Sequence, residues 1–123
     1  MQWIALIFIL ALVVFLLPRL SWIPVDQAAE RLKAGAALVD VRSPGEFASQ
    51  RIPGAINIPM GFVAADLQKE GLEPDRQILL HCASGARSAA AMKELQRMGY
   101  KQVWNVGSFS RAKKVEQATK ANR

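Results

Sequence analysis

The 123-residue sequence has one cysteine, Cys82, and one histidine, His81, and they are neighbours. A single thiol excludes an internal disulfide, and it excludes a zinc or iron–sulfur site made of several cysteines of one chain. It also removes any disulfide-based reason to place the chain in an oxidising compartment. Residues 3–17, WIALIFILALVVFLL, lack any polar side chain, and no Lys or Arg precedes Arg19. A cleaved signal peptide carries a basic start and a small-x-small cleavage site, and neither is present here. A core helix is apolar along one stripe, whereas this segment is apolar all round. Aromatic residues are absent after Phe109, although five of the 16 basic residues, against one of the 10 acidic ones, lie from Arg111 onward. The net charge of +6 therefore describes an end rather than a nucleic-acid stripe, and that end reads as a solvated face or tail. No internal repeat is present.

What these exclusions leave for the N-terminus is a membrane anchor. Residues 1–17 as a helix measure about 25 Å against a hydrocarbon core of about 30 Å. Continuing to Ile23 adds Leu20 and Trp22, with Arg19 able to snorkel, and puts Trp3 and Trp22 near the two interfaces. The expectation is a single-pass anchor over residues 1–23 with the lipid bilayer as its partner. Arg19, Arg31, Lys33 and Arg42 all follow the span, which places the remainder in the cytoplasm. That remainder, about 100 residues, suits one compact domain, here residues 24–110, followed by a basic tail over 111–123.

Within the domain, apolar β-branched runs alternate with helical patterns. Asp26 is read as the N-cap of a helix to about Lys33, ended by Gly35. Residues 37–41 (ALVDV) read as a strand. Ser43, Pro44 and Glu46 have the spacing of a capping box that opens a helix over 44–49. Residues 54–58 form a second strand, and residues 61–69 a helix burying Phe62, Val63, Ala65 and Leu67. A third strand covers 77–81 and the strongest helix 85–98, with Met92, Leu95 and Met98 along one side and Gly99 ending it. A fourth strand covers 102–106, and a last helix 108–120. Strands joined through helices require a mostly parallel sheet covered on both faces, an α/β fold.

The segment HCASGARSA (81–89) lies where a strand ends and a helix starts, the edge at which open α/β sheets place their ligands. Ala83, Ser84, Gly85 and Ala86 are small enough for a tight arc of inward-pointing N–H groups. Such an arc ending on a helix N-terminus is an anion nest, to which Arg87 and Ser88 add side-chain donors. The same field acts on the sulfur. An ordinary cysteine, with a pKa of about 8.5, is only a few per cent thiolate at neutral pH. Lowering it by about two units takes about 2.7 kcal/mol, within the scale of a helix end, several N–H donors and a nearby guanidinium. Cys82 is thus the candidate nucleophile and residues 83–88 the candidate cradle for an anionic substrate. His81, one position earlier on a strand, points to the opposite face and reads as a packing or hydrogen-bonding group rather than a general base.

Three motifs in register, LVDVRSPGEF (38–47), RIPGAINIP (51–59) and CASGARS (82–88), resemble those of a rhodanese domain, and the resemblance covers about residues 25 to 108. It implies an α/β unit with a central parallel sheet of four to five strands and helices on both faces. It also implies transfer of sulfane sulfur through a persulfide on Cys82. A small anionic donor such as thiosulfate would supply the sulfur, and a thiol or cyanide would accept it, with no metal or organic cofactor. Asp40 and Arg42 match the family's D-x-R; the implied role is structural, with a direct substrate contact by Arg42 the alternative. Tyrosine phosphatases look similar around the cysteine but have one residue more before the arginine. The wider arc holds a tetrahedral phosphoryl group; the four residues here suit a single added sulfur. A module that delivers persulfide sulfur to a membrane partner without turnover is the alternative function. Arg51 stands where the family usually has a histidine, and NVGSFSRAKK has one glycine where a pair is common and lacks the tryptophan that commonly follows.

Overall fold

The computed structural model describes residues 1–121, except for the side chains of 18–20. Six helices and four strands alternate: α1 (Gln2–Leu20), α2 (Val25–Lys33), β1 (Ala37–Asp40), α3 (Pro44–Ser49), β2 (Ile56–Asn57), α4 (Val63–Asp66), β3 (Ile78–His81), α5 (Ala86–Arg97), β4 (Val103–Gly107) and α6 (Phe109–Ala121). The strands form one parallel sheet in the order β2-β1-β3-β4. The two central strands, β1 and β3, are buried at every position, as expected for a parallel sheet covered on both sides.

Alternation along β1 and β3 sorts side chains onto two faces. Val39, Val41, Ile78, Leu80 and Cys82 pack on one face with Val63 and Leu67 of the α4 region, Ala91 and Leu95 of α5, and Tyr100. Leu38, Leu79 and Val106 pack on the other with Ala28 and Ala29 of α2 and Ala112 and Val115 of α6. The alanines let α2 and α6 lie against each other on that face. Each Leu, Ile or Val fully removed from water contributes roughly 1.5–3 kcal/mol. Arg123 lies outside the described residues; α6 carries Arg111, Lys113, Lys114 and Lys120 on a packed helix whose Ala112 and Val115 have no exposed surface. Its Arg111 donates to the carbonyls of Val106 and Ile23.

α3 opens with the expected capping box. The Ser43 hydroxyl accepts from the Glu46 N–H at 3.2 Å, and the Glu46 carboxylate accepts from the Ser43 N–H at 3.1 Å. Other expectations need correction. α2 begins at Val25 after Pro24, so Asp26 lies in its first turn instead of capping it. β2 contains two residues, because only Ile56 and Asn57 pair with β1. The helix expected over 61–69 is broken into a 3-10 turn (Met60–Phe62), the single turn of α4, and a second 3-10 turn (Gln68–Glu70). Only Val63 and Leu67, one turn apart, are buried there, while Phe62 and Ala65 face solvent.

The N-terminal expectation also changes. Among the described residues no helix is long and apolar enough to cross a membrane. The single-pass anchor over 1–23, the bilayer as its partner and the location drawn from them are therefore unsupported. The uninterrupted apolar stretch ends before Pro18 and Arg19, about 24 Å along the helix from Gln2 against the roughly 30 Å of a hydrocarbon core. Trp22, placed at a membrane interface on sequence grounds, and Ile23, the end of the expected span, instead join the domain. Ile23 is buried, and its N–H donates to the Asn105 carbonyl at 2.9 Å.

Candidate active site

β3 ends at His81, and the bulge between Leu80 and His81 shifts its pairing so that His81 faces Gly107 of β4. The next N–H, that of Cys82, donates to the Gly107 carbonyl at 3.1 Å, so the cysteine is anchored to the sheet edge before the chain turns away. Ala83 and Ser84 carry the turn outward. The Ala83 carbonyl accepts from the Phe109 N–H at 3.2 Å, and Ser84 bridges to Ser108. Gly85 reverses the chain with φ +99° and precedes the first residue of α5, Ala86. A left-handed residue of this kind is cheap only for glycine.

The outcome is a loop whose hydrogen bonds converge on sulfur. The Gly85 N–H donates to Cys82 Sγ at 3.0 Å, and the Ser88 hydroxyl lies 3.5 Å away. Burial pushes the thiol pKa up and is the largest single influence. The Ser88 hydroxyl and the N–H groups of Ser88, Gly85 and Ser84 together outweigh it, so the thiol lies below its ordinary value of 9.0. Cys82 has no exposed surface, while Ala83, Ser84 and Ala86 around it are exposed.

Arg87 is half-buried and is held by Glu46. It forms a paired contact with Glu46, Nη1 to Oε1 at 2.6 Å and Nη2 to Oε2 at 3.0 Å. The Glu46 hydrogen bond is the main reason its pKa is raised; the charge of Cys82 and a side-chain hydrogen bond to it add smaller shares. The groups that lower the thiol pKa are amides and one hydroxyl. Glu46, read from sequence as a cap, has a second role: Arg87 first and the Ser43 N–H second hold its pKa down to about 2.

Asp40 and Arg42 lie under the loop on the sheet face opposite to Sγ. Asp40 is fully buried and accepts from the Arg42 backbone N–H (2.9 Å), from Nε (3.0 Å) and from Nη2 (2.7 Å). The same Nη2 donates to the Gln50 carbonyl at 2.6 Å, and the guanidinium sits 4.6 Å from the Phe109 ring. All of these contacts tie β1 to the loops around it. His81 shares this face, fully buried. Its Nε2 stands 3.8 Å from Asp40 Oδ2 without a hydrogen-bond partner, and its Nδ1 is 3.4 Å from the Cys82 carbonyl. Burial, more than the opposing pull of Asp40, lowers its pKa, so the ring is neutral at neutral pH.

One residue of this site escaped the sequence reading. Asn105 on β4 is buried; its Oδ1 accepts from the Gly107 N–H at 2.9 Å and from the Ser88 hydroxyl at 2.7 Å, and its Nδ2 donates to the Gly85 carbonyl at 3.2 Å. It locks α5, the loop and β4 together. A buried Asn in an apolar strand is the one local signal that marks it, since such a side chain needs partners.

The site is a lone thiol at the carboxyl edge of a parallel α/β domain, in a four-residue loop closed by Arg87 and Ser88. The chain belongs to the rhodanese-like domain family, whose model matches residues 24–114. It is 38% identical over 69 residues to a sulfurtransferase of Allochromatium vinosum, a match covering 56% of this chain and 63% of that protein. It is 38% identical over 97 residues to thiosulfate sulfurtransferase 18 of Arabidopsis thaliana, covering 69% and 71%. Among solved structures, the human single-domain sulfurtransferase superposes with a TM-score of 0.66 at 25% identity, over 75% of this chain and 94% of that one.

Proposed function

We propose that the chain is a sulfurtransferase that moves sulfane sulfur from a small anionic donor such as thiosulfate to a thiol or cyanide acceptor through a persulfide on Cys82. In the first step the Cys82 thiolate attacks the outer sulfur of the donor. A new S–S bond forms, the bond from that sulfur to the sulfonate sulfur breaks, and sulfite leaves with its electron pair. In the second step the acceptor attacks the outer sulfur of the persulfide, and Cys82 leaves as thiolate. This is covalent catalysis, with the charge on sulfur carried by oriented N–H donors.

The observation that carries the reading is the Gly85 N–H to Sγ contact at 3.0 Å in a loop of only four residues between Cys82 and Arg87. Arg87 is paired with Glu46 and close enough to Cys82 for their charges to interact. Because Cys82 has no exposed surface, the loop must open to admit the donor sulfur, which favours small donors.

The test is intact mass after incubation of the full chain with thiosulfate. The expected result is a gain of one sulfur, absent in Cys82→Ala, followed by its release as thiocyanate on adding cyanide. A chain that takes up no sulfur would overturn the proposal. Uptake without turnover on cyanide would instead assign a carrier that delivers to a partner.

A further inference from the structure

Six glycines have positive φ, and at four of them, Gly35, Gly54, Gly71 and Gly99, an added Cβ would meet nothing within 4 Å. Gly85 and Gly107 differ. A Cβ on Gly85 would lie 2.9 Å from Trp22 Cε2 and nearer still to Cζ2. A Cβ on Gly107 would lie 2.7 Å from the same Cε2 and nearer to Cε3 and Cδ2. One indole therefore occupies the space that both glycines leave open. These two glycines bracket the sulfur: the N–H of Gly85 points at Sγ, and the carbonyl of Gly107 receives the Cys82 N–H.

The ring has its own supports. The next residue, Ile23, is bonded through its N–H to Asn105 and through its carbonyl to Arg111, whose guanidinium stands 5.5 Å from the indole. Trp22 lies just before residues 24–114, which match the family model.

We propose that Trp22 is a positioning residue for the Cys82 loop: its indole, seated where Gly85 and Gly107 lack Cβ, holds the Gly85 amide against Sγ. The inference rests on the reading of Cys82 as the sulfur carrier. Gly85 is one of the donors that keep the thiol below its ordinary value, so an amide free to tilt gives part of that stabilisation back. The segment joining α1 to the domain is then part of the active-site scaffold.

The experiment uses the full chain. The pH midpoint of Cys82 alkylation by iodoacetamide is measured for wild type, Trp22→Ala and Trp22→Phe, with sulfur uptake from thiosulfate at pH 7 alongside. In Trp22→Ala the midpoint is expected to rise by about one unit and uptake to slow about tenfold. Trp22→Phe, which keeps an aromatic plane over the glycines, is expected to recover most of both. A folded Trp22→Ala with the wild-type midpoint overturns the proposal, even if its melting temperature has fallen. Should that variant not fold, Trp22→Leu is read on the same scale: a raised midpoint supports positioning and an unchanged one overturns it. A wild type that takes up no sulfur strikes the proposed function and leaves the midpoint comparison intact.

Discussion

α1 and the rest of the chain use the same apolar residue types in opposite ways. The large apolar side chains of α1 from Trp3 to Leu17 are exposed by between 41 and 76%, whereas Val39, Ile78, Leu79, Leu80 and Leu95 in the domain have no exposed surface. α5 buries Ser88, Ala91 and Leu95 and gives its other positions to solvent or partial cover, so its stripe has one direction and finds one sheet face. α1 has no such direction, since its polar residues stand only at its ends. A side chain leaves water by having an oriented partner, and patterning supplies the orientation. Total hydrophobicity, which α1 has in excess, does not.

That comparison is sharpened by three substitutions of falling effect. The largest is Asp40→Asn. The buried Arg42 guanidinium would keep its charge and lose its carboxylate, which costs about 3–5 kcal/mol, enough to unfold a marginal domain. Urea unfolding followed by circular dichroism reads it directly; a loss below about 1 kcal/mol would mean that this pair is far more hydrated than its burial implies.

Smaller, at roughly 1 kcal/mol, is Glu46→Gln, which weakens both the cap of α3 and the hold on Arg87. Its signature is pH dependence. Glu46 has its folded pKa lowered from 4.5 to about 2, so its contribution is fully present above pH 4.5 and is lost as pH falls through about 2. The Gln variant should therefore show a flatter stability curve across that window, measured as the urea midpoint against pH. A curve parallel to wild type would show that the Arg87 contact does not persist in solution.

The smallest effect belongs to α1. Leu10→Ser changes a side chain 64% exposed, and the unfolding midpoint of the domain should move by less than about 0.5 kcal/mol. A large shift would break the comparison by revealing a packing partner for α1.

The order of elements and the position of the thiol loop were legible in sequence because both depend on local pattern. Apolar runs marked the strands, and Ser43-Pro44-x-Glu46 and Gly85 marked helix starts. The two-residue β2 was overread because pairing, not composition, limits a strand. The break in 61–69 was missed because its burial rests on Val63 and Leu67 alone. In the site, Cys82 and its small neighbours stood out in one stretch of chain. The partners of Arg87 and Ser88 did not, since Glu46 lies 41 residues from one and Asn105 17 from the other. Contacts at such separations follow from the sheet order, which brings β1 and β4 to either side of β3. Trp22 was hidden for a different reason: next to a long apolar run, an indole reads as part of that run.

The Ser88 hydroxyl has a single hydrogen and three acceptors around it: Asn105 Oδ1, the Gly85 carbonyl and Sγ. With a neutral thiol the oxygen of Asn105, nearest at 2.7 Å, is the better destination; with an anionic sulfur the balance tilts toward Sγ. Rotation about one C–O bond then lets the interior answer each gain or loss of charge on the sulfur.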